Sequence, residues 1–176
     1  MINTFFFNLN AIKSGQSRPK DVPKYKPQKV GILGAGMMGA GIAYAQASRG
    51  IATVLKDVSL EKAEHGKAYS RKLTQSRVDK GRMNPHDQTA LLGRITPTAD
   101  VADLKGCDLI IEAVFENREL KAKVTQEAEP LLAEGGFFAS NTSTLPISGL
   151  AQASKRPEKF IGIHFFSPVD KMKLVE

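Results

Sequence analysis

A doubly wound α/β fold around a mostly parallel sheet is what this 176-residue sequence predicts. Three observations carry it. Short apolar, β-rich runs alternate with helix-forming segments from residue 29 to residue 166, the order that yields βαβ units. The first run leads into a glycine loop that opens a helix, and the second ends in an acid, Asp57. The length suits one core, which at this size buries roughly 70% of the surface the unfolded chain exposes.

The elements follow in order. Residues 1–13 read as a short helix with Phe5, Leu9 and Ile12 close to one face. Residues 14–28 hold Pro19, Pro23 and Pro27 with few apolar side chains, the composition of a linker. Residues 1–28 are therefore set apart from a folded domain over 29–176. Residues 29–33, KVGIL, form a buried strand. Residues 37–49 are small helix formers that stop at Gly50. Residues 51–57 are β-rich. Residues 60–82 make a long polar helix, broken at Gly81 and Pro85, and 86–93 a second one. Both lie between the second strand and the third. Residues 94–98, 108–115, 136–142 and 160–166 supply further strands, with helices over 118–133 and 146–154 between them.

The formal net charge is +7, which makes an acidic partner worth considering. The charge is uneven. Lys13, Arg18, Lys20, Lys24, Lys26 and Lys29 face only Asp21 in the first 29 residues. A second basic surplus lies in 59–83. The rest is slightly acidic. Only Tyr69 interleaves with the basic residues of 59–83, so no base-stacking platform for nucleic acid is visible. A phosphate-bearing ligand near 59–83 fits, as does a plain solvated face. The one cysteine rules out an internal disulfide framework. No His or Cys pair has ligand spacing, so no metal site is expected. No apolar run approaches the ~20 residues of a membrane helix, and no signal peptide is read at the start.

Gly34, Gly36 and Gly39 spell G-A-G-M-M-G between a strand and a helix. In such a loop the first glycine permits a tight turn, the second lets the backbone approach a pyrophosphate, and the third lets helix and strand pack closely. The helix N-terminus offers N–H groups and partial positive charge to the phosphates. Asp57 would accept hydrogen bonds from adenosine ribose hydroxyls and repel a 2′-phosphate, which favours NAD over NADP.

Chemistry in such folds gathers at the carboxyl ends of the strands. Glu116 and Asn117 follow the run 108–115. Asn141, Thr142 and Ser143 follow 136–140, and His164 lies in IGIHFFSP. Spacing alone leaves His164 between a satisfied core histidine and a catalytic base. It leaves Glu176 as a solvated chain end. No GxSxG elbow supports a serine hydrolase.

With VGILGAGMMGAGIA, DLIIEAVFEN, ASNTSTLPIS and IGIHFFSPVDKMKLVE in this order and spacing, residues 29–176 resemble a known family. It is the NAD-binding domain of L-3-hydroxyacyl-CoA dehydrogenases, in the form found in the alpha subunit of multifunctional fatty-acid oxidation enzymes. The resemblance implies the Rossmann NAD-binding fold with a helical hairpin insertion after the second strand, NAD as cofactor and an acyl-CoA substrate. It assigns His164 as catalytic base, Glu176 as its paired acid, and Ser143 to both substrate and nicotinamide. Met38, Asp57, Val114, Phe115, Glu116 and Lys121 fall on cofactor-contact positions with the three glycines. Ser167 stands where many members carry asparagine, which puts that residue's contact in doubt. The hairpin containing Ser70 and Arg77 corresponds to the one that helps bind coenzyme A. The 1–28 stretch resembles the linker after a hydratase part. A thiolase partner subunit and a bacterial cytoplasmic setting are implied, although mitochondrial and peroxisomal relatives exist. Members continue into a helical domain that closes over the substrate, so the isolated chain is expected to bind NAD but to turn over weakly or not at all. Glu176, at the chain end, is expected to fray. Two other readings were open: a dehydrogenase of free 3-hydroxy acids, and a nucleotide-binding module without catalysis.

Overall fold

The computed structural model describes residues 7–16 and 18–176. Six strands lie in the order β3-β2-β1-β4-β5-β6, and every neighbouring pair is parallel. They are β1 (Lys29–Leu33), β2 (Ala52–Lys56), β3 (Ile95–Thr98), β4 (Cys107–Glu112), β5 (Leu132–Ser140) and β6 (Phe160–Gly162). Strand order reverses between β1 and β4, where a doubly wound sheet opens its ligand crevice.

Both faces are covered, as a parallel sheet requires. Side chains alternate along each strand. Val30, Ile32, Leu55, Leu109 and Ile111 join one buried cluster with Ile42 and Ala43 of helix α2 (Met37–Ala47). Leu33, Val54, Ile110 and Phe138 join a second with Leu104 and Ala128. Helices α3 (Leu60–Asp79) and α4 (Pro85–Gly93) pack on one another between β2 and β3, so the hairpin insertion is present. Ser59 caps α3 by accepting from the Lys62 N–H, and Asn84 caps α4 by accepting from the His86 N–H. No helix of the described residues is long and apolar enough to cross a membrane.

Four elements end short of expectation. The strand expected over 108–115 ends at Glu112. There the Glu112 carboxylate accepts the Val114 N–H at 3.2 Å and turns the chain out of the ladder. The helix expected over 118–133 is α5 (Arg118–Ala128), capped by Asn117, and Pro130 tightens its end into a 3₁₀ turn. The last strand, expected to reach 166, stops at Gly162. Beyond it the Phe165 N–H donates to Asn141 Oδ1 at 2.8 Å, and Phe165 bridges Val175 in antiparallel sense. The helix expected over 146–154 is the single turn α6 (Ile147–Leu150) followed by a 3₁₀ turn.

At the N-terminus, α1 (Asn8–Ser14) ends on Gly15. Phe5 lies outside the described residues, and Ile12 is mostly exposed. The end of the proline-rich stretch is anchored to the sheet. Tyr25 donates to the Asp108 carbonyl at 2.6 Å and sets its ring edge-on to Phe137. The Asp108 carboxylate accepts the Gln28 and Lys29 N–H groups.

Candidate active site

The carboxyl ends of β1, β2, β4, β5 and β6 gather the residues expected to carry chemistry. The glycine loop comes first. Gly34 has φ +92°, and a Cβ there would lie 2.7 Å from the Ala113 carbonyl oxygen. A Cβ on Gly39 would overlap the Gly34 carbonyl, so α2 approaches β1 only because position 39 has no side chain. At Gly36, the N-cap of α2, a Cβ would meet nothing, which leaves open space above the helix N-terminus.

That space continues into a groove of about 670 Å³ lined by Gly34, Gly36, Met38, Asp57, Val114 and Phe115. Asp57 closes its far end. One carboxylate oxygen accepts the Ala35 N–H and the other the Val58 N–H, both at 2.7 Å. The acid thus also braces the glycine loop. Phe115 is 84% exposed on the rim. Apolar walls, an open helix N-terminus and a terminal carboxylate fit a dinucleotide.

Across the switch point, side chains do the shaping. Glu112 is fully buried at the end of β4. Its carboxylate receives the Lys121 ammonium at 2.9 Å on both oxygens, the Ser140 hydroxyl in a short hydrogen bond, and the Val114 N–H. Lys121 is buried with it and reaches Glu116 at 3.2 Å. One Glu116 oxygen accepts from the Thr142 hydroxyl, from the Ser143 and Thr144 N–H groups at 3.1 and 3.2 Å, and from the Thr144 hydroxyl at 3.1 Å. Partial burial pushes the Glu116 carboxyl upward, but these donors and the Lys121 charge outweigh it and hold it at about 2. The loop 141–144 is wrapped around one carboxylate.

Ser143, so held, sets its hydroxyl 3.1 Å from His164 Nε2. His164 Nδ1 lies 3.4 Å from Glu176 Oε2. The chain end does not hang free of the histidine: the His164 N–H donates to the Glu176 carbonyl at 2.7 Å, and the Glu176 N–H returns to His164 at 3.0 Å. The His164 ring also rests on Phe166. Ser167 turns toward Met37, with its hydroxyl 3.6 Å from the sulfur. A cavity of about 240 Å³, lined by Met38, Ala113, Val114, Glu116, Asn141, Ser143 and Thr144, joins the groove to this line of residues.

The two hairpin residues part company. Ser70 is fully buried inside α3, and its hydroxyl has no hydrogen-bond partner among the described residues. It is therefore not presented to a ligand arriving from solvent, against expectation. Its position on the inward face of an otherwise polar helix is the reason. Arg77 donates to the Tyr44 hydroxyl at 3.1 Å and borders a broad cavity with Arg49, Lys171 and Lys173. Asn117 and Asn141, two of the polar groups expected at strand ends, are taken up by the backbone they hold. Glu112 escaped notice altogether. In DLIIEAVF it looks like an interruption of an apolar run, and its signal was an acid in such a run with a lysine nine positions later.

The family described as 3-hydroxyacyl-CoA dehydrogenase, NAD binding domain, matches residues 29–176. The fatty acid oxidation complex subunit alpha of Psychrobacter arcticus is 46% identical over 145 residues, 82% of this chain and 20% of that protein. The (S)-3-hydroxybutyryl-CoA dehydrogenase PaaH1 of Ralstonia eutropha superposes with a TM-score of 0.81 at 38% identity, over 85% of this chain and 53% of that one. The 3-hydroxybutyryl-CoA dehydrogenase of Escherichia coli gives 0.81 at 34% identity, over 86% of this chain and 32% of that one. The chain thus spans about a fifth of the length of the curated relatives it matches. A glycine loop and an Asp57-closed groove in an all-parallel sheet, together with these matches, lead to one conclusion: the chain belongs to the family of 3-hydroxyacyl-CoA dehydrogenase NAD-binding domains.

Proposed function

We propose that this chain is the cofactor-binding part of an enzyme that oxidises L-3-hydroxyacyl-CoA to 3-ketoacyl-CoA in fatty-acid β-oxidation. The observation that carries this reading is the line Ser143–His164–Glu176 beside the nucleotide groove. His164 Nε2 takes the proton of the substrate hydroxyl as general base. Glu176 orients the ring through Nδ1 and stabilises the imidazolium. Ser143 hydrogen-bonds the reacting oxygen. Gly34 and Gly36 would cradle the pyrophosphate, with Gly39 packing α2 on β1 beneath them, Asp57 would hold the adenosine ribose, and Met38, Val114, Phe115 and Glu116 would border the rest of the cofactor, with Lys121 behind Glu116. Hydride acceptance would be supplied by the nicotinamide when it is bound. Arg77, with Arg49, Lys171 and Lys173 around its cavity, offers positive charge to the phosphates of coenzyme A. Ser167, exposed beside Met37, would offer a shorter polar group than asparagine.

Residues 1–28 join this domain, 29–176, to an enoyl-CoA hydratase part. The parent works with a thiolase subunit in a bacterial cytoplasm. The chain alone binds NAD through the glycine loop and Asp57 and turns over weakly or not at all. The test is calorimetric titration with NADH, NADPH and acetoacetyl-CoA. NADH binding without NADPH binding is expected, and no nucleotide binding would sink the reading. In the full-length protein His164→Ala should abolish turnover; unchanged kcat would remove the base.

A further inference from the structure

Glu112, Lys121 and Glu116 form one cluster with two carboxylates and one ammonium. Three donors, the Lys121 ammonium, the Ser140 hydroxyl and the Val114 N–H, make four hydrogen bonds to the Glu112 carboxylate, an arrangement that suits an anion. Lys121 spends its N–H groups on both acids and on the Val114 carbonyl at 3.5 Å. The cluster therefore carries one uncompensated negative charge. Glu112 and Lys121 are shielded from water while Glu116 is partly exposed, so that charge is only partly screened. It sits against the cavity of about 240 Å³ that joins the nucleotide groove to Ser143, and no basic side chain lines that cavity.

We propose that Glu112 is a positioning residue that sets the charge of this cluster, so that the site discriminates between a cationic and a neutral ring in the cavity. This rests on the reading of the groove as an NAD site. The oxidised nicotinamide is a pyridinium cation and the reduced ring is neutral. An excess negative charge beside it therefore tightens the oxidised form relative to the reduced one. Glu112 does this from behind, through Lys121: it takes up most of the ammonium's charge and leaves Glu116 under-neutralised. A plain scaffold role would weaken both forms alike.

The test is calorimetric titration of this chain with NAD⁺ and with NADH, in wild type, Glu112→Gln and Glu116→Gln. Each substitution removes one negative charge while keeping an amide of similar shape. The ratio of NAD⁺ to NADH affinity should fall roughly three- to tenfold in each, the range expected of one unit charge acting at short range in a partly screened site. Glu116 is partly exposed, so its variant reads the same charge even if Glu112→Gln folds poorly. Equal loss for both nucleotides, or an unchanged ratio, overturns the proposal and leaves the NAD reading standing. Failure of the wild-type chain to bind either form overturns that reading and the proposal with it.

Discussion

Between β1 and β2 the cofactor groove is shaped by backbone. Gly39 lets α2 touch the Gly34 carbonyl, Gly34 turns at positive φ, and Gly36 leaves space open. Between β4 and β5 the same edge of the sheet is held by side chains. Glu112, Lys121 and Glu116 gather hydroxyls and N–H groups from β4, α5, β5 and the loop that carries Ser143. The first half achieves its shape by omission and tolerates nothing added at Gly34 or Gly39. The second achieves it by pairing and tolerates nothing removed. Close approach of helix and strand suits a ligand held by backbone dipoles. A network of charged pairs suits a group that must point one hydroxyl at one imidazole.

The largest effect should come from adding to the first half. Gly39→Ala places a methyl inside the Gly34 carbonyl, and neither backbone segment can retreat without parting α2 from β1. A loss of about 4 kcal/mol or outright failure to fold is expected, the range of severe core overpacking, read by urea unfolding. A loss under about 1 kcal/mol would show the loop to be adaptable and dissolve the contrast.

Next comes subtraction from the second half. Lys121→Met leaves the buried Glu112 carboxylate without its counter-charge, and removing one partner of such a pair costs about 3–5 kcal/mol. Adding Glu112→Gln to Lys121→Met should return part of the stability, because the stranded charge goes too. A double variant as unstable as the sum of the singles would mean that the two side chains are not coupled.

Smaller and pH-dependent is the contribution of Glu116. Its carboxyl sits at about 2 in the folded chain, below its ordinary value of 4.5. A carboxyl depressed on folding stabilises above the unfolded value, and that stabilisation fades as pH falls through the folded one. The stability gap between wild type and Glu116→Gln should therefore be level above about pH 5 and shrink from about 4.5 down to 2. Because the side chain is partly exposed, solvent keeps the gap modest. A gap that does not change over this interval would break the assignment of its donors.

The two halves also differ in how they could be read from sequence. Glycines at fixed spacing announce a backbone shape directly, since Gly34 turns at positive φ and Gly39 leaves no room for a Cβ; set between an apolar run and a helix-forming one, they are legible as a loop. The pairing half is non-local. Lys121 meets Glu112 from across a turn, and Ser140 reaches it from another strand. No spacing rule encodes that, and a lone acid inside an apolar run reads as a strand residue. Ser70 failed for the related reason that a polar helix still turns one face inward. Residues 163–166 read as a strand because they are mostly apolar, yet Ile163 alone still bonds to the sheet edge, at Ser140, while the backbone of His164 and Phe165 pairs with Glu176 and Asn141.

His164 should give the smallest effect on the fold, and that is what separates it from both halves. Its side chain meets Ser143, Glu176 and Phe166 at a partly exposed position, and its two backbone hydrogen bonds to Glu176 do not need the imidazole. His164→Ala should lower stability by less than about 1 kcal/mol and leave NADH affinity within about twofold, measured on the same chain that Gly39→Ala unfolds. The glycine half would then bind and the paired half would position, with His164 free for chemistry because neither task depends on it. A large fall in NADH affinity would instead make the imidazole a strut of the groove, and the division of the edge into a half that holds and a half that aims would fail at the residue where it matters most.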